Sequence, residues 1–203
     1  EGAQAYGHGL YLAESPDVAK SYQAMSYNRT VALPDGKGYA LFDSATDKKI
    51  SDTFGTKDAA LKAKEAFSGN HYKVDLPDDQ IAKMLDWDKP LSQQAPEVQA
   101  AFQSPEVSSM VQSLKQKGLM GDYSVDELAK FKGEDWHDFI RQASSDSNVA
   151  PSDFLKQRGI PGIRYLDGGS RASGAGTSNY VVFPGNEGLL KILERNGQGL
   201  LGN

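Results

Sequence analysis

The sequence predicts an α+β domain whose sheet is contributed by both ends of the chain, with a β-β-α insertion and a helical segment between the two halves. Three observations predict it. Short apolar runs of strand type stand near the two ends, Leu10 to Ala13 at one and Gly162 to Asp167 with Asn179 to Phe183 at the other. Residues 30–69 hold two alternating runs followed by an alanine stripe at helical spacing. Through 78–158 the apolar residues recur at helical rather than strand intervals. Residues 1–203 therefore form one domain, with 30–69 inserted, 78–158 helical and 198–203 a flexible tail.

In order along the chain, Gly7 and Gly9 flank His8 and permit close backbone approaches that a β-carbon forbids, and Leu10-Tyr11-Leu12-Ala13 follows as a strand. Ser15 is the expected N-cap of a helix with Pro16 at its first position and Asp17 in its first turn; Val18, Tyr22 and Met25 share one face. Pro34-Asp35-Gly36 turns the chain between Val31-Ala32-Leu33 and the strand Gly38 to Asp43, and Lys49 to Phe54 returns after the polar turn Ser44 to Lys48. Thr56 caps a helix from Lys57 to Phe67.

His71 to Leu76 is read as a strand that ends at Pro77, and Asp78 to Leu85 as a short helix. From Pro96 to Leu119 two helices are separated at Ser104-Pro105; Ser124 starts another, Gly133 interrupts it, and Trp136, Phe139 and Ile140 carry the next apolar face. Pro151 to Arg158 is a last short helix stopped by Gly159. A Gly/Ser-rich loop, Gly168 to Ser178, then separates the two final long strands.

Composition bounds the function. With 38% hydrophobic and 9% aromatic residues the chain can bury a core. A net charge of -5 argues against a general binder of phosphate backbones, so no specific nucleic-acid partner is expected. The absence of cysteine removes thiol nucleophiles, disulfides and thiolate metal sites. No apolar run reaches membrane-span length, and no membrane association is expected. Because the first residue is Glu1 and not Met, the chain reads as a piece of a longer protein.

The run G-x-G-Leu10-Tyr11-Leu12-Ala13, followed eleven residues after Tyr11 by Tyr22, resembles the central motif of the poly(ADP-ribose) polymerase branch of the ADP-ribosyltransferases. Gly162-Ile163-Arg164-Tyr165-Leu166-Asp167, the Gly/Ser-rich loop and Asn179-Tyr180-Val181-Val182-Phe183 are similar to that family's last strands and substrate-side loop. The whole also resembles ADP-ribosyltransferase-like modules of large phage and mobile-element proteins, in which runs such as LDWDKPLSQQ and SNYVVF recur.

The resemblance implies an ADP-ribosyltransferase-like split sheet, NAD as co-substrate, and a nicotinamide ring held between Tyr11 and Tyr22, with Gly7 and Gly9 in the binding turn. If the part upstream supplies the family's first-strand His, it implies transfer of a single ADP-ribose to a bacterial protein target, in the bacterial cytoplasm or the virion. Asn179 falls where the family has a catalytic Glu; an amide hydrogen-bonds a ribose hydroxyl but neither takes a proton nor carries negative charge. The family's first-strand His has no counterpart here and would lie upstream of Glu1. The alternative is an inactive scaffold of the same type, used for protein-protein contact or virion assembly.

Other candidates have plainer readings. Tyr11 and Tyr22 serve equally as core aromatics. Arg171, in the Gly/Ser-rich loop, is a candidate pyrophosphate contact, although the loop lacks a Walker lysine. His71 and His137 have no partner at ligand spacing and are expected to be solvated or internally satisfied, so no metal is expected. Asp75, Asp78, Asp79, Asp86 and Asp88 lack calcium-loop spacing and are expected at the solvated surface.

Overall fold

The computed structural model describes residues 6, 8–67, 72–144 and 150–199. In chain order the first elements are β1 (Leu10–Ala13), α1 (Pro16–Arg29), β2 (Thr30–Asp35), β3 (Gly38–Asp43), β4 (Lys48–Lys49), α2 (Lys57–Phe67) and β5 (Tyr72–Asp75). There follow α3 (Asp78–Ile81), β6 (Leu85–Asp86), α4 (Pro96–Phe102), α5 (Pro105–Gln116), α6 (Val125–Leu128), α7 (Gly133–Ser144) and α8 (Pro151–Lys156). The last are β7 (Gly162–Leu166), α9 (Gly168–Arg171), β8 (Ser178–Val182), β9 (Lys191–Arg195) and β10 (Gln198–Gly199). The protein is thus mixed α+β with several sheets, as its sequence predicts. Its contacts divide into two units, residues 1–14 with 76–191 and residues 15–75 with 192–203.

The first unit is built on the sheet β1-β8-β7-β6, in which β8 runs antiparallel to both neighbours and β6 parallel to β7. Opposed residues share a face. Val181 lies between Tyr11 and Ile163, and Asn179 between Ala13 and Tyr165, so Tyr11, Asn179 and Tyr165 look out from one side. On that side Ile163, Val181 and Leu85 join Val98, Leu114, Ile140 and Leu155 of the helices in a single core. Complete burial of each such side chain stabilises the fold by about 1.5–3 kcal/mol relative to exposure.

Local chemistry sets the helix boundaries here. Pro105 at the first position of α5 ends α4, and Ser104 caps the new helix by accepting a hydrogen bond from the Val107 N–H. Ser124 and Glu127 form a reciprocal capping box at α6. Gly133 opens α7 and lies so close to the Asp86 carbonyl that a β-carbon would collide with it. The helix expected from Asp78 to Leu85 is shorter than predicted, because Leu85 leaves it to pair with Ile163. Gln94 holds that two-residue strand in place: its Oε1 accepts from the Asp86 N–H at 2.9 Å, and its Nε2 donates to the Asp86 and Lys89 carbonyls.

In the second unit the strand expected from Lys49 to Phe54 is reduced to β4 and an isolated bridge from Phe54 to Tyr39, while β3 and α2 stand where they were expected. β2 and β3 form a hairpin across Gly36, whose φ of +62° suits a residue without a β-carbon. Thr56 caps α2 by accepting from the Ala59 N–H at 3.1 Å, and Ala60 on that helix is fully buried. Arg29 closes the base of the hairpin with two hydrogen bonds to the Asp43 carboxylate, at 2.9 and 3.0 Å. A further sheet, β10-β9-β5, turns at Asn196-Gly197, both with positive φ. That turn corrects the expectation of a flexible tail from residue 198: Gln198 and Gly199 pair with Arg195 and Glu194 because the Asn-Gly step supplies a hairpin turn. Residues 200–203 lie outside the described residues.

Candidate functional site

The exposed end of the β1-β8-β7 face carries the residues that the sequence singles out in the first unit. Tyr11 is 38% exposed on β1. Asn179, one row further along on β8, is only 5% exposed, and its Oδ1 has no hydrogen-bond partner among the described residues. Leaving such an acceptor buried and unpaired costs about 1–3 kcal/mol. Its neighbour Ser178 contrasts with it: the Ser178 N–H donates to Glu14 Oε2 at 2.7 Å, its carbonyl accepts from the Glu14 N–H at 2.9 Å, and its hydroxyl accepts from Arg164 Nε at 3.1 Å.

Arg171 is placed by a turn of helix that the Gly/Ser-rich stretch did not predict. Asp167 caps α9, accepting from the Ser170 N–H at 2.8 Å and from the Thr177 hydroxyl, and these contacts order a segment expected to be a flexible loop. The Thr177 hydroxyl and then the Ser170 N–H hold the Asp167 carboxyl below its usual range. From α9 the Arg171 side chain sets Nε 3.4 Å from Asp88, whose other oxygen accepts from the Leu166 N–H at 2.8 Å. Asp86 and Asp88 are thus tied into the fold, with side chains 16% and 18% exposed, where the sequence had placed them at the solvated surface.

Tyr6 joins these parts. Its ring stacks on Tyr165 with centroids 3.8 Å apart and planes at 14°, and it meets the edge of Trp87 at 4.8 Å and 76°. Its hydroxyl accepts from Arg171 Nη2 at 2.7 Å, and its backbone N–H donates to the Tyr11 hydroxyl at 3.4 Å. The hydroxyl is also the main cause of the raised Arg171 pKa. Sequence reasoning missed Tyr6, Trp87 and Asp88 as members of one constellation. The signal in the sequence was the Trp-Asp pair in LDWDKP alone; the strand that precedes it, β6, is too short to be read from the sequence.

His137 was expected to be solvated or satisfied, and it is neither. It lies 6% exposed on α7 with its ring 5.2 Å from Trp87, and its Nε2 has no partner among the described residues. Burial pushes its pKa down, with Asp138 opposing and Arg141 reinforcing the shift.

The remaining predicted residues are placed as follows. Gly9 uses its missing β-carbon against β8, since a side chain there would collide with the Val182 carbonyl. Tyr22 stands 60% exposed on α1, in the second unit. Gly7 and His71 lie outside the described residues. Among the described residues no group of three or more His, Asp or Glu is arranged to hold a metal ion, and no helix is long and apolar enough to cross a membrane.

What the site can do follows from its inventory: aromatic faces, one guanidinium donor and one neutral amide acceptor. It offers stacking and hydrogen bonding; the Asn179 amide supplies no general base. No protein-family model, curated protein or solved structure matches the chain.

Proposed function

We propose that the chain is an ADP-ribosyltransferase-like module that binds NAD on the sheet face carrying Tyr11 and Asn179, with the split sheet of that family formed by β1, β8, β7 and β6. The observation that carries the proposal is the buried Asn179 Oδ1, without a hydrogen-bond partner among the described residues, on the same face as the partly exposed Tyr11. An acceptor kept without a partner beside an aromatic wall suits a ligand that brings both a flat ring and hydroxyl donors, and a nicotinamide riboside brings both. In this proposal Tyr11 stacks the nicotinamide, Asn179 accepts from a ribose hydroxyl, and Arg171 exchanges its present partners for the pyrophosphate.

The reaction in this proposal is transfer of one ADP-ribose to a protein acceptor of a bacterial host, by a phage or mobile-element protein. The bond between the ribose carbon and the pyridinium nitrogen breaks, its electron pair neutralising the departing nicotinamide. An acceptor nucleophile bonds to the same carbon and loses its proton to solvent. Asn179 orients but takes no proton, so the acceptor must supply its own reactivity and chain elongation is not expected. The same neutral amide also favours a second reading, an inactive scaffold that uses the module for protein-protein contact.

Calorimetric titration of NAD separates the two. NAD binding that falls by at least about tenfold in Tyr11→Ala, with the variant folded, is the expected result. No heat of binding at about millimolar NAD would discard the nucleotide site and leave the scaffold.

A further inference from the structure

We propose that the slot bounded by the Tyr165 face, the Trp87 edge and the Arg171 guanidinium is a binding site for a planar aromatic ring with a hydrogen-bond acceptor on its rim, and that Tyr6 occupies it in cis. The walls of the slot are held by the framework. Tyr165 stands near the end of β7, an inner strand of its sheet, and is almost fully buried. Trp87 is fixed where its N–H donates to the Arg164 carbonyl at 2.8 Å. Arg171 is steered by Asp88, which is itself pinned by the Leu166 N–H.

Tyr6 belongs to no strand or helix and is only partly buried against this frame. Its contacts with the slot are those a free ligand would make: a parallel stack, an edge contact and one rim hydrogen bond. The guanidinium carbon is 5.6 Å from the Tyr6 ring centre while Nη2 reaches the hydroxyl, so the donor meets the rim of the ring.

That geometry selects the ligand. A guanidinium only donates, so the rim atom facing it must accept: a phenol oxygen, a ring carbonyl or a pyridine-type nitrogen. A hydrocarbon ring would offer Arg171 Nη2 no acceptor, while Nε keeps Asp88. Phenols and purine bases satisfy the condition, and either would compete with Tyr6. The slot is distinct from the nicotinamide position proposed above, and NAD plays no part in its test.

The test uses the full chain with Tyr6→Ala, titrated with 4-methylphenol, adenine and toluene, and read by calorimetry and by the shift in thermal midpoint. Tyr6→Ala should bind 4-methylphenol or adenine about tenfold or more tightly than the unsubstituted chain, which keeps its own ring in the slot. Toluene should bind about tenfold more weakly than 4-methylphenol, and adding Arg171→Ala should erase that preference. Adenine binding alone assigns the slot to a base, and 4-methylphenol binding alone to a phenol; both uphold the site. Equal affinities for toluene and 4-methylphenol would make it a mere cavity and overturn the proposal. So would absence of binding to folded Tyr6→Ala, or failure of that variant to fold, since the ring would then be ordinary core packing.

Discussion

Asp167 and Asn179 stand at the same end of the β7 and β8 pair and are equally hidden, 7% and 5% exposed, yet they are provided for in opposite ways. Asp167 accepts from the Ser170 N–H and the Thr177 hydroxyl and starts a turn of helix. Asn179 keeps an acceptor oxygen with no partner among the described residues. This end of the sheet can evidently satisfy a buried polar side chain where the fold depends on it. The comparison teaches that burial alone does not separate a structural polar residue from a candidate ligand-binding one; the state of its hydrogen bonds does.

The largest expected effect comes from removing the satisfied partner. Asp167→Ala strips α9 of its side-chain cap and takes from the Thr177 hydroxyl its acceptor, while the Ser170 N–H keeps the Asp167 carbonyl at 3.0 Å, so the thermal midpoint should fall by roughly 5 °C. An unchanged midpoint in calorimetry would take Asp167 off the structural side of the comparison. A smaller effect tests a third buried polar group. His137 is also hidden and also has an unpartnered nitrogen, but it can ionise.

Burial holds the His137 pKa below the ordinary 6.5, so the folded chain binds fewer protons than the unfolded one as acid is added. Stability is therefore complete above about pH 6.5 and is lost as pH falls from there through the lower folded-state value. Thermal midpoints recorded from about pH 7.5 to about pH 5 should drop more steeply for the unsubstituted chain than for His137→Leu. Parallel curves would contradict this. The smallest effect on stability is expected at Asn179. Asn179→Leu replaces an orphaned acceptor by an apolar group of similar size, leaving the midpoint unchanged or slightly higher while NAD affinity falls about tenfold. A large loss of stability instead would show that Asn179 supports the fold.

The parts of this structure written in local chemistry were legible in the sequence. β1, the hairpin with α2, the break at Ser104-Pro105 and the strands β7 and β8 follow from alternation, caps and prolines, and each is where its residues predict. β6 was not legible, since two residues carry no period and are held by Ile163 and Gln94 from elsewhere in the chain. α9 was hidden because Gly and Ser conceal a helix whose cap, Asp167, draws on Thr177 beyond it. At the candidate site the sequence pointed to Tyr11, Arg171 and Asn179, but Tyr6 depends on contacts with Trp87, Tyr165 and Arg171 that no local pattern encodes.

The sheet of the first unit also fixes an order of events during synthesis. The Tyr6 to Arg171 contact spans 165 residues, and β1 pairs with β8. A ribosome has therefore released β1, the complete β2-β3 hairpin and α4 to α8 before β8 exists to pair with β1. Local hairpins and helices form without closing long loops, whereas this sheet must close one across most of the chain. Until β8 emerges, the edge of Leu10 to Ala13 that it covers stays open, and an unpaired strand edge is aggregation-prone.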